Sequence, residues 1–260
     1  GIDPSANKFK KFYNKKIKVI TDYFSFKKIS NDIDYKKTNK RFSLITSFAM
    51  FYDIEDPNLF CKDINKLLDK NGLWVLELSY FPLLLKNLTY DQICHEHITY
   101  YTLTTFKNVI SKNNLKIIDF SFNEINGGSI EITCAKINSK HKPKEKKIKE
   151  ILLEEKKINH NSYKRLAKRI DNTKNNIKNF LNWVGKKNVI GYGASTKGNI
   201  VLNQCNLNSK NLQLICDANP YKHSRYTPGS NIKIISKEEM RKIRPKYLFV
   251  LIWSFRKEVI

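Results

Sequence analysis

Val189-Ile190-Gly191-Tyr192-Gly193-Ala194-Ser195-Thr196-Lys197-Gly198-Asn199 reads as a strand, a glycine turn and the start of a helix. Such a turn offers backbone amides to a phosphate at a helix N-terminus, and Lys197 adds a point charge. Gly191-x-Gly193 with an acid about 25 residues on, Asp217, is also part of a dinucleotide fingerprint. The third position is Thr196, however, and Gly198 sits two residues late. A tight turn chosen only for packing is a third reading. Downstream, Leu212–Cys216 forms a strand ending at Asp217. A polar loop runs from Asn219 to Gly229, and Tyr247–Trp253 is a third strand. Ile260 falls inside what should be a helix. Residues 187–260 therefore read as an αβ lobe.

The same rhythm stands upstream. Phe42–Ser47 is a buried-type strand. Asp56-Pro57 opens a helix with Leu59, Phe60, Ile64, Leu67 and Leu68 at helical spacing, ended by Asn71-Gly72. Leu73–Leu78 is the next strand. Strand–helix–strand order predicts an α/β fold with a parallel sheet, so Ser47–Tyr52 and Glu77–Tyr80 are candidate pocket walls. A helix is expected at Leu103–Asn113. Strands at Leu115–Phe122 and Ser129–Ala135 meet across Asn126-Gly127-Gly128, a turn requiring positive φ. Pro143–Lys186 is rich in Lys, Glu and Asn. Its apolar spacing gives amphipathic helices interrupted near Asn159–Ser162, read as a bridge between lobes or, alternatively, a coiled-coil surface. The division is 1–138, a helical linker 139–186, and 187–260.

The chain has a net charge of +24, carried by 41 Lys against 7 Arg. The lysines are dispersed, and no RNA- or DNA-binding motif accompanies them, so a diffuse solvated surface is expected rather than a nucleic-acid partner. No run of about 18 apolar residues suggests a membrane span. Five scattered cysteines read as reduced thiols of a cytoplasmic protein. At the start, Gly1–Ser5 looks like a strand end, an acid and a turn, then a helix to about Tyr13 and a short strand Ile17–Thr21. Asp3 is either an ordinary cap or the acid that takes the ribose hydroxyls of an adenosine cofactor.

Tyr90-Asp91-Gln92-Ile93-Cys94-His95-Glu96-His97-Ile98-Thr99-Tyr100-Tyr101 concentrates two of the five histidines with a thiol, carboxylates and tyrosines. Cys94, His95 and His97 would bind a metal only on an extended segment with further ligands. Two histidines satisfied in a core are another reading. General base chemistry is the third: Glu96 can orient a histidine or raise its basicity, which suits proton abstraction next to a carbonyl.

Taken in order, this stretch, Asn126-Gly127-Gly128-Ser129, the Gly191–Asn199 turn and Arg225-Tyr226-Thr227-Pro228-Gly229 resemble the S-adenosylmethionine-dependent C-methyltransferases of nucleotide-linked keto-deoxysugars. The resemblance covers nearly the whole chain. It implies a partial class I methyltransferase lobe and a second Rossmann-like lobe that helps hold a nucleotide-sugar. A zinc-binding segment and the glycine-rich cofactor loop would lie upstream of Gly1, and further elements beyond Ile260. No metal site is expected in this chain. The resemblance implies His97 as the base, assisted by Glu96 with His95 beside it, and Asp3 and Ser47 at S-adenosyl-L-methionine. It implies Tyr100, Gly193, Ser195, Lys197, Asn199, Arg225 and Tyr226 at the nucleotide-sugar. Cys94 stands where sugar-methylating members often have tyrosine. An NAD-dependent oxidoreductase using the Gly191 turn is the alternative.

Overall fold

Asp56 and Pro57 begin a helix as their chemistry demands: the Asp56 carboxylate accepts from the Leu59 N–H at 2.9 Å, and Pro57 occupies the first turn. The structure, a computed structural model, describes residues 1–38 and 41–255. The helix expected around Ile260 lies outside them. In chain order the elements are α1 (Ala6–Phe9), α2 (Phe26–Ser30), α3 (Ile33–Thr38), β1 (Phe42–Phe48), α4 (Pro57–Leu67), β2 (Leu68–Ser79) and α5 (Phe81–Asn87). Next come α6 (Leu103–Ser111), β3 (Leu115–Asn123), β4 (Ser129–Lys136), α7 (Glu145–Glu155) and α8 (His160–Val184). The chain then forms β5 (Val189–Tyr192), α9 (Thr196–Gln204), β6 (Leu214–Cys216), β7 (Lys233–Ile235), α10 (Lys237–Ile243) and β8 (Tyr247–Val250). The α/β class expected from the rhythm is the class observed.

The chain divides into two compact units. One contains Gly1–Ser79, Ile98–Asn123 and Ile130–Glu155; the other contains Tyr80–His97, Glu124–Ser129 and the described residues from Lys156 onward. In the first unit the sheet order is β1-β2-β4-β3, with β1 parallel to β2. Its core is aromatic. The Phe51 ring lies 5.3 Å from Tyr101, 5.4 Å from Phe106, 5.6 Å from Phe60 and 5.8 Å from Trp74, mostly in the tilted and edge-on arrangements that ring quadrupoles favour. Buried Glu155 ends α7 by accepting from the Leu103 and Thr104 N–H groups, which caps the first turn of α6.

Three local expectations fail here. β1 is not buried: Phe42, Leu44 and Phe48 are exposed, because β1 is the outer strand of its sheet and faces an open cleft. The helix expected to run to Asn71-Gly72 stops at Leu67, because Leu68 turns extended and pairs with Phe42. Gly72 instead sits inside β2 at a register shift, where a Cβ would lie 2.6 Å from the Phe42 carbonyl oxygen. The strand expected at Ile17–Thr21 is reduced to one parallel bridge between Ile2 and Ile20. That bridge and β1 border a cleft of about 690 Å³ whose lining includes Asp3, Phe24, Leu44, Ser47 and Met50.

In the second unit all pairs are parallel, in the order β7-β6-β5-β8. One face buries Val189, Ile215, Ile234 and Leu251 against Leu181 and Val184 of α8 and Leu202 of α9. Met240 of α10 packs on Ile190, Cys216 and Ile235. The Asn159 cap, reciprocated by Ser162, starts α8 where the interruption is expected. The third strand ends at Val250, three residues early, and Trp253 begins a 3₁₀ turn. β7 and α10 were not expected. Three and seven residues are too few for periodicity to register.

Asn126 (φ 54°), Gly127 (φ 85°) and Gly128 (φ 135°) form the positive-φ turn anticipated from sequence. A Cβ on Gly128 would lie 2.8 Å from Leu83 Cβ. Gly128→Ala should therefore lower the unfolding free energy by about 3 kcal/mol, from strain and overpacking together. Urea unfolding measures this, and a cost under about 1 kcal/mol would contradict the constraint.

Candidate active site

The second unit gathers the histidine-rich stretch around the Asn126 turn. Gln92, almost fully buried, donates its side-chain N–H groups to the Asn126 carbonyl at 2.9 Å and to Thr89 Oγ1 at 2.8 Å. Asn87 donates to the Gly127 carbonyl at 2.8 Å. Lys197, from the first turn of α9, donates to Asn126 Oδ1 at 3.0 Å. Three side chains from two segments thus fasten one turn. Each satisfies a backbone or amide oxygen that would otherwise be costly to bury.

His97 is half-buried, and its ring bonds to the main chain of Gln92. Burial lowers its pKa below the usual histidine value; the positive charge of Lys197 lowers it further, while Glu96 and the Gln92 bond oppose both. Glu96 is exposed; its charge acts on His97, and its carboxylate accepts from the Cys94 thiol. His95 is exposed. Among the described residues no group of three or more His, Cys, Asp and Glu side chains gathers as a metal-binding cluster.

Asp91 is the residue that sequence reasoning passed over. It is 3 % exposed. Burial raises its pKa, while Lys197 and a hydrogen bond from Trp253 hold it down. Lys197 is itself lowered by burial and supported by the charges of Asp91 and Cys94. Asp91 stands inside the quoted motif, next to a tyrosine. Its burial among polar groups is a tertiary property with no sequence signature.

The predicted nucleotide-sugar residues divide. Gly193 (φ 94°) follows β5, and its N–H bonds to the Cys216 carbonyl at 2.8 Å. Ser195 caps α9 by accepting from the Gly198 N–H at 3.0 Å. Asn199 is half-buried in the same helix. Arg225 and Tyr226 are exposed on the loop before β7. Tyr100 is half-buried in the first unit. Asp217 ends β6, but its carboxylate accepts from the Asn219 N–H and from Lys222, which also bonds to the Ala194 carbonyl. An acid so engaged lends no support to the dinucleotide reading. In the first unit Asp3 accepts from the Ser5 N–H and hydroxyl, each at 2.6 Å, in a local turn before α1, and it lines the cleft. Ser47 accepts from the Trp74 ring N–H at 3.1 Å and lines the same cleft.

A parallel α/β unit with a glycine turn after β5 is fastened to a loop carrying a half-buried histidine. The chain belongs to the C-methyltransferase family: residues 124–260 match the family's C-methyltransferase C-terminal domain, and residues 1–119 match a methyltransferase domain. It is 29% identical over 222 residues to the C-methyltransferase NovU of Streptomyces niveus, covering 84% of this chain and 53% of that protein. The chain thus spans about half the length of this curated relative. Among solved structures, a putative methyltransferase in complex with the Haloferax volcanii Trm112 activator matches 52% of this chain and 70% of its own, with TM-score 0.40 and 12% identity. A putative S-adenosylmethionine-dependent methyltransferase from Listeria monocytogenes matches 52% and 78%, with TM-score 0.37 and 14% identity. No helix among the described residues is long and apolar enough to cross a membrane.

The direction of the His97 shift fixes a pH dependence. Because its folded pKa lies below the unfolded value of about 6.5, its contribution to stability is complete above that value. It is lost as pH falls from there toward the folded pKa. An NMR titration should place the His97 midpoint below about 6.5; a midpoint above it would contradict the burial and the neighbouring cation.

Proposed function

We propose that this chain carries the machinery for C-methylation of a nucleotide-linked keto sugar, with His97 as the base. The observation that supports this most is the setting of His97. It is half-buried, held by the Gln92 main chain and biased toward the neutral imidazole that can accept a proton. His97 removes the proton from the carbon next to the keto group. The electron pair of that C–H bond passes into an enolate, which leaves its carbon nucleophilic. Glu96 assists by stabilising the imidazolium with its charge. Gly193, Ser195, Asn199, Arg225 and Tyr226 contact the nucleotide-sugar.

S-adenosyl-L-methionine supplies an electrophilic methyl group when bound. The first unit fits it on two counts. Its cleft of about 690 Å³ lies within the range of small-molecule sites. Asp3 and Ser47 stand on the cleft wall, with Asp3 at the end of a parallel bridge, where an acid meets ribose hydroxyls. Asp3 would hold the ribose and Ser47 would line the site beside it.

The test uses full-length protein, labelled S-adenosylmethionine and a panel of nucleoside-diphosphate keto-deoxysugars. His97→Ala should lower methyl transfer by about 10²- to 10⁴-fold. Near wild-type transfer by that variant would remove His97 from the base role.

A further inference from the structure

We propose that Lys197 is a catalytic cation: its ammonium, fixed by Asn126 and balanced by Asp91, stabilises the negative charge that forms on the substrate oxygen when His97 removes the proton. This rests on the enolate reading above and departs from the sequence expectation that Lys197 holds the nucleotide.

The first argument is direction. Lys197 lies in the first turn of α9, where a phosphate ligand would be expected, yet it donates to Asn126 Oδ1 at 3.0 Å. Its charge acts on Asp91, Cys94 and His97. The ammonium therefore belongs to the polar group that holds the base. The second argument is rigidity. Asn126 is fastened by Gln92, and Gln92 carries the bond to His97, so one short network positions cation and base together. A charge held without reorganisation is the arrangement that stabilises a developing oxyanion. The third argument is differential stabilisation. Lys197 opposes protonation of His97 by repulsion, while Asp91 balances the ammonium itself. Such a cation hinders proton transfer unless negative charge appears beside it in the same step. Enolate formation supplies that charge: the C–H bond breaks, the proton passes to the imidazole, and the electron pair moves onto the carbonyl oxygen.

The experiment measures kcat and KM for methyl transfer by full-length wild type, Lys197→Gln and Lys197→Arg on a nucleoside-diphosphate keto-deoxysugar that the wild type methylates. It also follows exchange of the α-proton with deuterated solvent, with S-adenosylhomocysteine present so that no methyl moves. Lys197→Gln should lose about 10²-fold in kcat with KM within about twofold, and α-proton exchange should fall in proportion. Lys197→Arg should retain more of both. Methylammonium should restore part of the activity of Lys197→Ala, a rescue that a lost structural contact would not show. Unimpaired kcat in Lys197→Gln, or a raised KM with kcat intact as for a phosphate ligand, overturns the role of Lys197. So does loss in Lys197→Ala that methylammonium leaves untouched. Wild-type protein inactive on every keto sugar overturns the methyl-transfer reading itself.

Discussion

The hydrogen bond from Gln92 to the Asn126 carbonyl is the constraint on which the site depends. A buried carboxamide has few ways to satisfy its donors, and here they reach Thr89 and a turn 34 residues away. That geometry needs three successive residues at positive φ. Asparagine and glycine tolerate the conformation where most side chains would clash. With the turn set, its remaining oxygens accept Asn87 and Lys197, and the Gln92 main chain is placed to hold His97. His97 is thus positioned by backbone geometry, and charge then tunes it.

Charge is used in two ways in this chain. Most of the 41 lysines make a dispersed surface field that affects solubility and encounter with anions. Lys197 and Lys222 are among the lysines with fixed partners, and both are half-buried. Lys222 bridges Asp217 and the Ala194 carbonyl, neutralising the acid that a dinucleotide ribose would need. Lys197 sits with Asp91 and Asn126 in the network around His97. A lysine count distinguishes neither from the rest.

The α/β rhythm is legible in sequence because helices and strands here are long enough to show their periods, as α4, α8 and β3 do. The Asn126 turn is legible because two consecutive glycines after asparagine leave few other conformations. Where reading fails, a partner across space decides. Phe42 draws Leu68 into β2 and shortens α4. β1 has the apolar run of a buried strand but lies at the sheet edge, which a strand's own composition does not report. The histidine-rich motif stands out by composition, and its candidate base is legible as a residue type. The burial of Asp91 and the inward course of Lys197 are not, because both arise from segments far apart in the chain.

The discontinuity of the two units has a kinetic meaning. Boundaries at 79/80, 97/98, 123/124, 129/130 and 155/156 make the chain pass from one unit to the other five times. The Asn126 turn waits for partners 34, 40 and 71 residues distant. Closing such loops costs entropy before any contact repays it, so neither unit completes itself as the chain emerges in order. The C-terminal sheet can assemble from local pieces, yet the ring of bonds around His97 is among the last structure to close. A C-terminal piece begun after Ser129 would keep α9 and lose the turn that Lys197 grips.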